Sequence, residues 1–368
     1  MKDSNRMHLT EKDLEMAPCL NDGAIGKQAS AMISSARAVA PGPTLSRMKG
    51  HAVVEVFGTI ERCVELGLDP ADELGKTFSD LSTRFDSILS DNLPLDLPRS
   101  EPTASHEVIE EKTGRHYSRL FGPFNDFSFF EEARNLLDIR FLRNGISKNI
   151  IEGKRVLDAG CGGGRYSVAL RLLGAGDVIG VDVSSDNTSN ASIRVQSAGL
   201  TGIKFETANV LELPFPDDYF DFVFSNGVLH HTRNWSAGIN ELLRVLRPDG
   251  HGWLYLIENP GGLFWDSIEV LRVLMKDEAS PEIATLLAEG GIPANRIFYM
   301  LDHVMVPINI RLTKSEIEEA LKSSGAAEIR WLNRGADFDR VEYLFQNRSF
   351  AKELYGEGEQ RCVFSKRK

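Results

Sequence analysis

Between residues 154 and 258, short apolar runs alternate with stretches whose apolar positions recur every three or four residues. Runs bounded by glycine or polar turns read as buried strands, and the three-four spacing reads as amphipathic helix. The pattern predicts strands at 154–159, 177–182, 203–208, 219–225 and 252–258, with helices at 164–173, 187–198 and 235–247. A strand-helix-strand rhythm implies parallel strands joined by right-handed crossovers. The fold class expected is therefore α/β, with a doubly wound, mostly parallel sheet. A further helix at 313–324 and strands at 327–332 and 361–365 bring the sheet to seven strands.

Ahead of this region the spacing changes. Val53, Val56, Phe57, Ile60, Cys63 and Val64 fall on one helical face before Gly67 and Pro70 stop it, and Leu74, Phe78, Leu81, Phe85, Ile88 and Leu89 form a second stripe. The two read as a helical hairpin whose stripes must be buried. Packing within its own domain is one reading; a homodimer interface or a wall of a substrate cavity is the other. Residues 1–50 show no sustained period and read as a loose tail, followed by an N-terminal helical region and linker over 51–125, the linker carried by Leu93 to Pro98. Ser128 and Glu131 have capping-box spacing, which starts a helix and a third region, 126–368. At about 260–311 apolar, helix-prone segments interrupt its rhythm. An insertion after the fifth strand lies at the carboxyl edge of the sheet, where ligands bind in such folds, so it is read as a lid.

The first strand of the sheet ends in Asp158 and runs into Gly160, Gly162 and Gly164. Glycines behind a buried strand let the backbone turn sharply and approach a flat ligand closely. At the end of the second strand, Asp182 can accept hydrogen bonds from ribose hydroxyls. The third strand leads into Ala208-Asn209-Val210-Leu211-Glu212-Leu213-Pro214-Phe215, the fourth into Ser225-Asn226-Gly227-Val228-Leu229-His230-His231, and the stretch Glu241 to Gly250 precedes the fifth.

In this order the elements resemble the class I S-adenosylmethionine-dependent methyltransferases. Residues 158–164 resemble the family's Asp-x-Gly-x-Gly-x-Gly signature, and 209–215 resemble its Asp-x-x-x-Leu-Pro-Phe element, with Asn209 in place of the acid. Residues 219–231 and 241–250 resemble the small-molecule group that includes the ubiquinone and menaquinone C-methylating enzymes. The resemblance is strong over the middle third of the chain, weak towards the end and absent from the first hundred residues. It implies a Rossmann-like fold and S-adenosyl-L-methionine as cofactor, held by Asp158, Gly160, Cys161, Gly162, Gly164, Asp182, Val183, Asn209, Val210, Ser225 and Asn226. Tyr117 is expected to close over the cofactor from the N-terminal side. An amide oxygen on Asn209 can still accept from the adenine amine, with one charge fewer.

Methyl transfer from a sulfonium is an in-line displacement, so no protein nucleophile is required. Proton removal brings in His230 and His231 after the fourth strand, and His303 beside Asp302. The competing reading is that the paired histidines stabilise their loop. Phe264, Trp265, Phe298, Tyr299 and Met300 can line an apolar chamber, with Arg296 or Arg311 meeting a carboxylate or, alternatively, lying on a solvated face. Ser225-Asn226-Gly227 is unlike the Asn/Asp-Pro-Pro-Tyr/Phe run that goes with base or glutamine amide methylation. A net charge of −11 disfavours a phosphate-tracking surface, leaving a small-molecule substrate. Four cysteines lie scattered with no metal-ligand spacing, and no apolar run approaches the roughly 18–20 residues of a membrane span. A cytoplasmic methyltransferase of small-molecule metabolism is the reading; a cofactor-binding protein without catalysis and a nucleotide-dependent dehydrogenase are the alternatives.

Overall fold

The computed structural model describes residues 25–90, 126–259, 261–332, 349–356 and 360–368. Three helices come first: α1 (Gly26–Ala38), α2 (Pro43–Leu66) and α3 (Pro70–Ser90). Helix α1 occupies part of the stretch expected as a loose tail. Its buried positions Ala29, Met32, Ile33 and Ala36 follow the three-four spacing, but alanines weaken the apolar signal from the sequence. Helix α2 starts on Pro43 and ends at Gly67, whose φ of 68° completes a left-handed cap with Leu68 N–H donating to Cys63 O. In α3, Leu74, Phe78, Leu81 and Phe85 are fully buried, whereas Leu89 at the end of the expected stripe is exposed. The linker at 93–98 and Tyr117 lie outside the described residues.

The chain continues through α4 (Asp126–Arg143), β1 (Arg155–Ala159), α5 (Arg165–Leu172), β2 (Asp177–Asp182), α6 (Ser185–Ser197), β3 (Ile203–Thr207), β4 (Phe220–Asn226), α7 (Trp235–Val245) and β5 (Leu246–Leu256). The helices α8 (Gly262–Met275), α9 (Ser280–Glu289) and α10 (Ala294–Val304) follow. Then come α11 (Lys314–Ser323), β6 (Ala326–Trp331), α12 (Ala351–Tyr355) and β7 (Gln360–Lys366). The strands form one seven-stranded sheet in the order β3-β2-β1-β4-β5-β7-β6, parallel apart from β7. Successive residues face opposite sides: Leu157, Val223 and Leu254 pack under Ile239 and Leu243 of α7, while Val156, Phe224 and Trp253 meet Phe141 and Ala169. Strand β5 begins at Leu246, earlier than its sequence suggests. Arg247-Pro248-Asp249-Gly250 is carried as a bulge opposite β4, with Asp249 at φ 61°.

The described residues divide into two compact units. One holds the sheet with α4–α7 and α11. The other holds α1–α3, α8–α10 and α12, so the segment read as a lid shares a core with the N-terminal helices. Inside that helical unit α2 packs against α3 and α8–α10, and its apolar stripe is spent on the chain's own helices. Lys49 Nζ and Ser46 Oγ of α2 both bond the Glu278 carboxylate, at 2.8 and 2.7 Å. Arg296, considered above for a substrate carboxylate, pairs with Glu61 at 2.7 Å.

Candidate active site

The turn after β1 is held by β2. Gly160 and Cys161 N–H both donate to Val181 O at 2.8 Å, and Gly162 N–H donates to Asp182 Oδ2 at 2.9 Å. Gly160, Gly162 and Gly164 have φ of 83°, 50° and 83°, a region that side chains with a Cβ rarely enter. A Cβ on Gly160 would stand 2.3 Å from Val228 Cγ1, and one on Gly164 would stand 2.6 Å from Phe205 Cζ. The first glycine thus lets the turn pass under the loop after β4. The third lets α5 close on β3.

Two carboxyl groups flank this turn, Asp158 2 % and Asp182 8 % exposed. Asp182 accepts three N–H donors: Gly162 on Oδ2, and Ser184 N–H at 2.9 Å and Asn187 Nδ2 at 3.0 Å on Oδ1. A carboxylate has about four acceptor sites. Capacity for one further donor, such as a ribose hydroxyl, remains on Oδ2. Asp158 receives Ser167 Oγ at 2.6 Å. Burial pushes the Asp158 carboxyl up to about 7, with the charge of Asp182 adding to the rise. Burial also raises Asp182, while its three donors pull the other way. Ser167 and Asn187 were not apparent as site residues in the sequence. The one signal for Ser167 is a polar residue on the buried face of α5.

The other residues expected around a cofactor divide by what they touch. Cys161 is buried, its thiol pushed up by desolvation and by both aspartates, and its Sγ faces Gly162 O. Val210 is buried and Val183 half-buried. Asn209 Oδ1 accepts Leu211 N–H at 2.9 Å. One lone pair of its oxygen is engaged locally, which leaves the second lone pair and the amide nitrogen to meet a base. Glu241 and Arg244 of α7 hold this loop: Leu213 N–H donates to Glu241 Oε2, while Arg244 donates to Leu213 O and Phe215 O. The Arg244 guanidinium in turn keeps the Glu241 carboxyl below its usual range. Asn226 Oδ1 accepts Trp253 Nε1–H at 3.0 Å, which commits it to the sheet. Ser225 is fully buried, with a hydroxyl that has no hydrogen-bond partner in the structure.

The three histidines have separate surroundings. His231 Nδ1 lies 2.7 Å from Ile308 O, and His230 O accepts Ile310 N–H, so the His230–His231 turn stitches down the segment 308–312. The buried His230 ring sits 5.8 Å from Tyr255 and 4.0 Å from His231. His303 belongs to the helical unit. Its Nδ1 donates to Tyr299 O at 2.7 Å, and its ring is ringed by Phe57, Phe264, Trp265 and Tyr299 at 4.7–6.3 Å. Arg311 is buried, which removes the solvated-face reading for it. Among the described residues no group of three or more His, Cys, Asp or Glu can hold a metal ion, and no helix is long and apolar enough to cross a membrane.

A doubly wound sheet with β7 reversed, a glycine turn after β1 and an acid closing β2 is the arrangement expected above from the resemblance to the class I S-adenosylmethionine-dependent methyltransferases. Residues 157–254 match the family described as "Methyltransferase domain". The chain is 30 % identical over 208 residues to the 27-O-demethylrifamycin SV methyltransferase of Amycolatopsis mediterranei, covering 55 % of this chain and 65 % of that protein. It is 34 % identical over 149 residues to the demethylmenaquinone methyltransferase of Geobacillus kaustophilus, covering 39 % and 62 %. It is also 32 % identical over 161 residues to the tRNA U34 carboxymethyltransferase of Hahella chejuensis, covering 44 % and 49 %. The chain spans less than two thirds of the length of each of these relatives.

The residues present fit the cofactor of that family. Two buried acids suit a ligand that carries a sulfonium and an ammonium, because a cation offsets the desolvation of a carboxylate. The missing Cβ atoms at 160 and 164 let the turn pack closely, and the Ser225 hydroxyl, with no hydrogen-bond partner among the described residues, stands near the carboxyl end of β4.

Proposed function

We propose that this chain transfers a methyl group from S-adenosylmethionine to a small-molecule acceptor. The observation that carries the reading is the pair of buried acids, Asp158 and Asp182, on either side of a glycine turn where a Cβ would collide. When bound, S-adenosylmethionine supplies a methyl carbon on a sulfonium and a neutral thioether leaving group. The chain's part is to bind, orient and exclude water. Asp182 offers its remaining acceptor site to a ribose hydroxyl, Asp158 offers negative charge, and Asn209 Nδ2 a donor to the base. Gly160 and Gly162 give close main-chain approach. Where the acceptor must lose a proton, His230 in the turn after β4 is the base we favour.

A small acceptor is supported by the net charge of −11, which leaves little basic surface for a polynucleotide, and by the names of two of the three relatives above. A reduced, cytoplasmic setting agrees with the buried free thiols of Cys63, Cys161 and Cys362. The test is to incubate the chain with methyl-labelled cofactor and separate metabolite and RNA fractions. We expect a labelled small product that disappears with Asp182→Ala. Label confined to RNA overturns the substrate class, and cofactor binding without any labelled product overturns the enzymatic reading.

A further inference from the structure

The two acids of the turn differ in the kind of hydrogen bond they receive. Asp182 is met by three N–H groups, which can only donate and so favour the ionised form. Asp158 is met from Ser167, by its Oγ at 2.6 Å and more weakly by its backbone N–H, and the hydroxyl can rotate to serve a protonated carboxyl as well as a carboxylate. Both acids are more than nine-tenths buried, and the charge of Asp182 acts on Asp158. Two interacting negative charges buried this deeply are not both retained without penalty, so the acid with the poorer donor set holds the proton.

The surroundings of Asp158 contain nothing that reverses this. Its sheet neighbours are Gly180 on β2 and Phe224 on β4, neither of which titrates. From α5 comes Ser167. From the turn comes Cys161, whose thiol is pushed further up and stays neutral. Asp182, at the end of β2, is the charged group that bears on it, and it acts to keep the proton on.

We propose that Asp158 is the charge-matching residue of the cofactor site: the free protein keeps a proton on this carboxyl, and uptake of a cationic sulfonium ligand drives that proton into solvent. The inference rests on the cofactor reading above. The O–H bond breaks with its electron pair left on oxygen, the proton passes to buffer, and the positive charge of the ligand replaces it beside the carboxylate. Affinity for S-adenosylmethionine then climbs with pH through neutrality and levels off in mildly alkaline solution.

Calorimetric titration of the full chain with S-adenosylmethionine at about pH 6.5, in phosphate and in Tris, tests this, because the two buffers take up a released proton with different heats. We expect release of roughly half to one proton, and none from Asp158→Asn, whose affinity no longer varies with pH. Binding with equal heats in both buffers overturns the proposal, as does unchanged release from Asp158→Asn. If that variant does not fold, Ser167→Ala decides. Removing the hydroxyl moves the midpoint of the affinity-against-pH curve upward, and an unmoved midpoint overturns the proposal. Absence of any binding to the full chain would instead overturn the cofactor reading itself.

Discussion

Asp158 and Asp182 are the same residue type one strand apart, and burial raises both carboxyls, Asp158 to about 7. A carboxyl raised in the folded state binds its proton more tightly than in the unfolded chain, so stability is present at low pH and is lost as pH rises from the ordinary carboxylate range to about 7. We expect Asp158→Asn, which keeps the shape and the Ser167 contact, to raise the melting temperature at pH 8. The gain should shrink towards pH 5, and its upper limit is about 4 kcal/mol. Melting curves across this pH range check it; a variant less stable at pH 8 contradicts the assignment. Asp182→Ala removes three hydrogen-bond acceptances and, on the proposed reading, the ribose contact. Affinity for S-adenosylhomocysteine should fall at least about tenfold by calorimetry. Asp158 and the glycines were legible from the residue types at fixed spacing, and Asp182 from its place at the end of the second strand. Ser167 and Asn187 were not, since only the fold brings a mid-helix hydroxyl and an amide onto those acids. The local bond that a backbone N–H two residues on makes to the Asn209 oxygen was not legible either, since it depends on the turn the loop adopts.

Among elements, the turn after β1 and the segment 308–312 are held by backbone bonds together with a side-chain contact. Gly160→Ala adds a methyl 2.3 Å from Val228 at a φ of 83°. We expect a loss of about 2–4 kcal/mol in urea unfolding, partly recovered by Val228→Gly, which clears the space but leaves the backbone strain. His231→Ala should leave the sheet intact and speed hydrogen exchange at residues 308–312, because the imidazole contact to Ile308 O is removed. Exchange unchanged there would contradict the role given to His231. The strand-helix order from β1 to β5 could be read in advance from hydrophobic period. Strand β5 was harder, since its Arg247-Pro248-Asp249-Gly250 bulge looks like a turn and hides the pairing of Leu246 with Phe220. Helix α1 was missed because small residues fill its buried face.

At the scale of the whole molecule, the surprise is ownership of the insertion. Sequence order places α8–α10 inside the methyltransferase region, but their core is shared with α1–α3. No periodicity in one segment reports which distant segment will cover it. The Lys49–Glu278 pair, with side chains 8 % and 9 % exposed, joins α2 to the end of α8 inside that core. Lys49→Ala leaves a buried carboxylate without its cation, and we expect a loss of about 3–5 kcal/mol in the helical unit. Faster exchange in α2 and α8, with β1–β4 unchanged, would report it; uniform exchange across both units would contradict it. The shared core also bears on synthesis. Helices α1–α3 leave the ribosome long before Phe264, Tyr299 and His303, the ring partners of Phe57, exist, so a nascent chain stalled before α8 offers an oily surface to whatever is nearby. Truncations that keep the first ninety residues and drop the insertion should therefore yield insoluble protein, and removing both together is the sounder way to isolate the sheet.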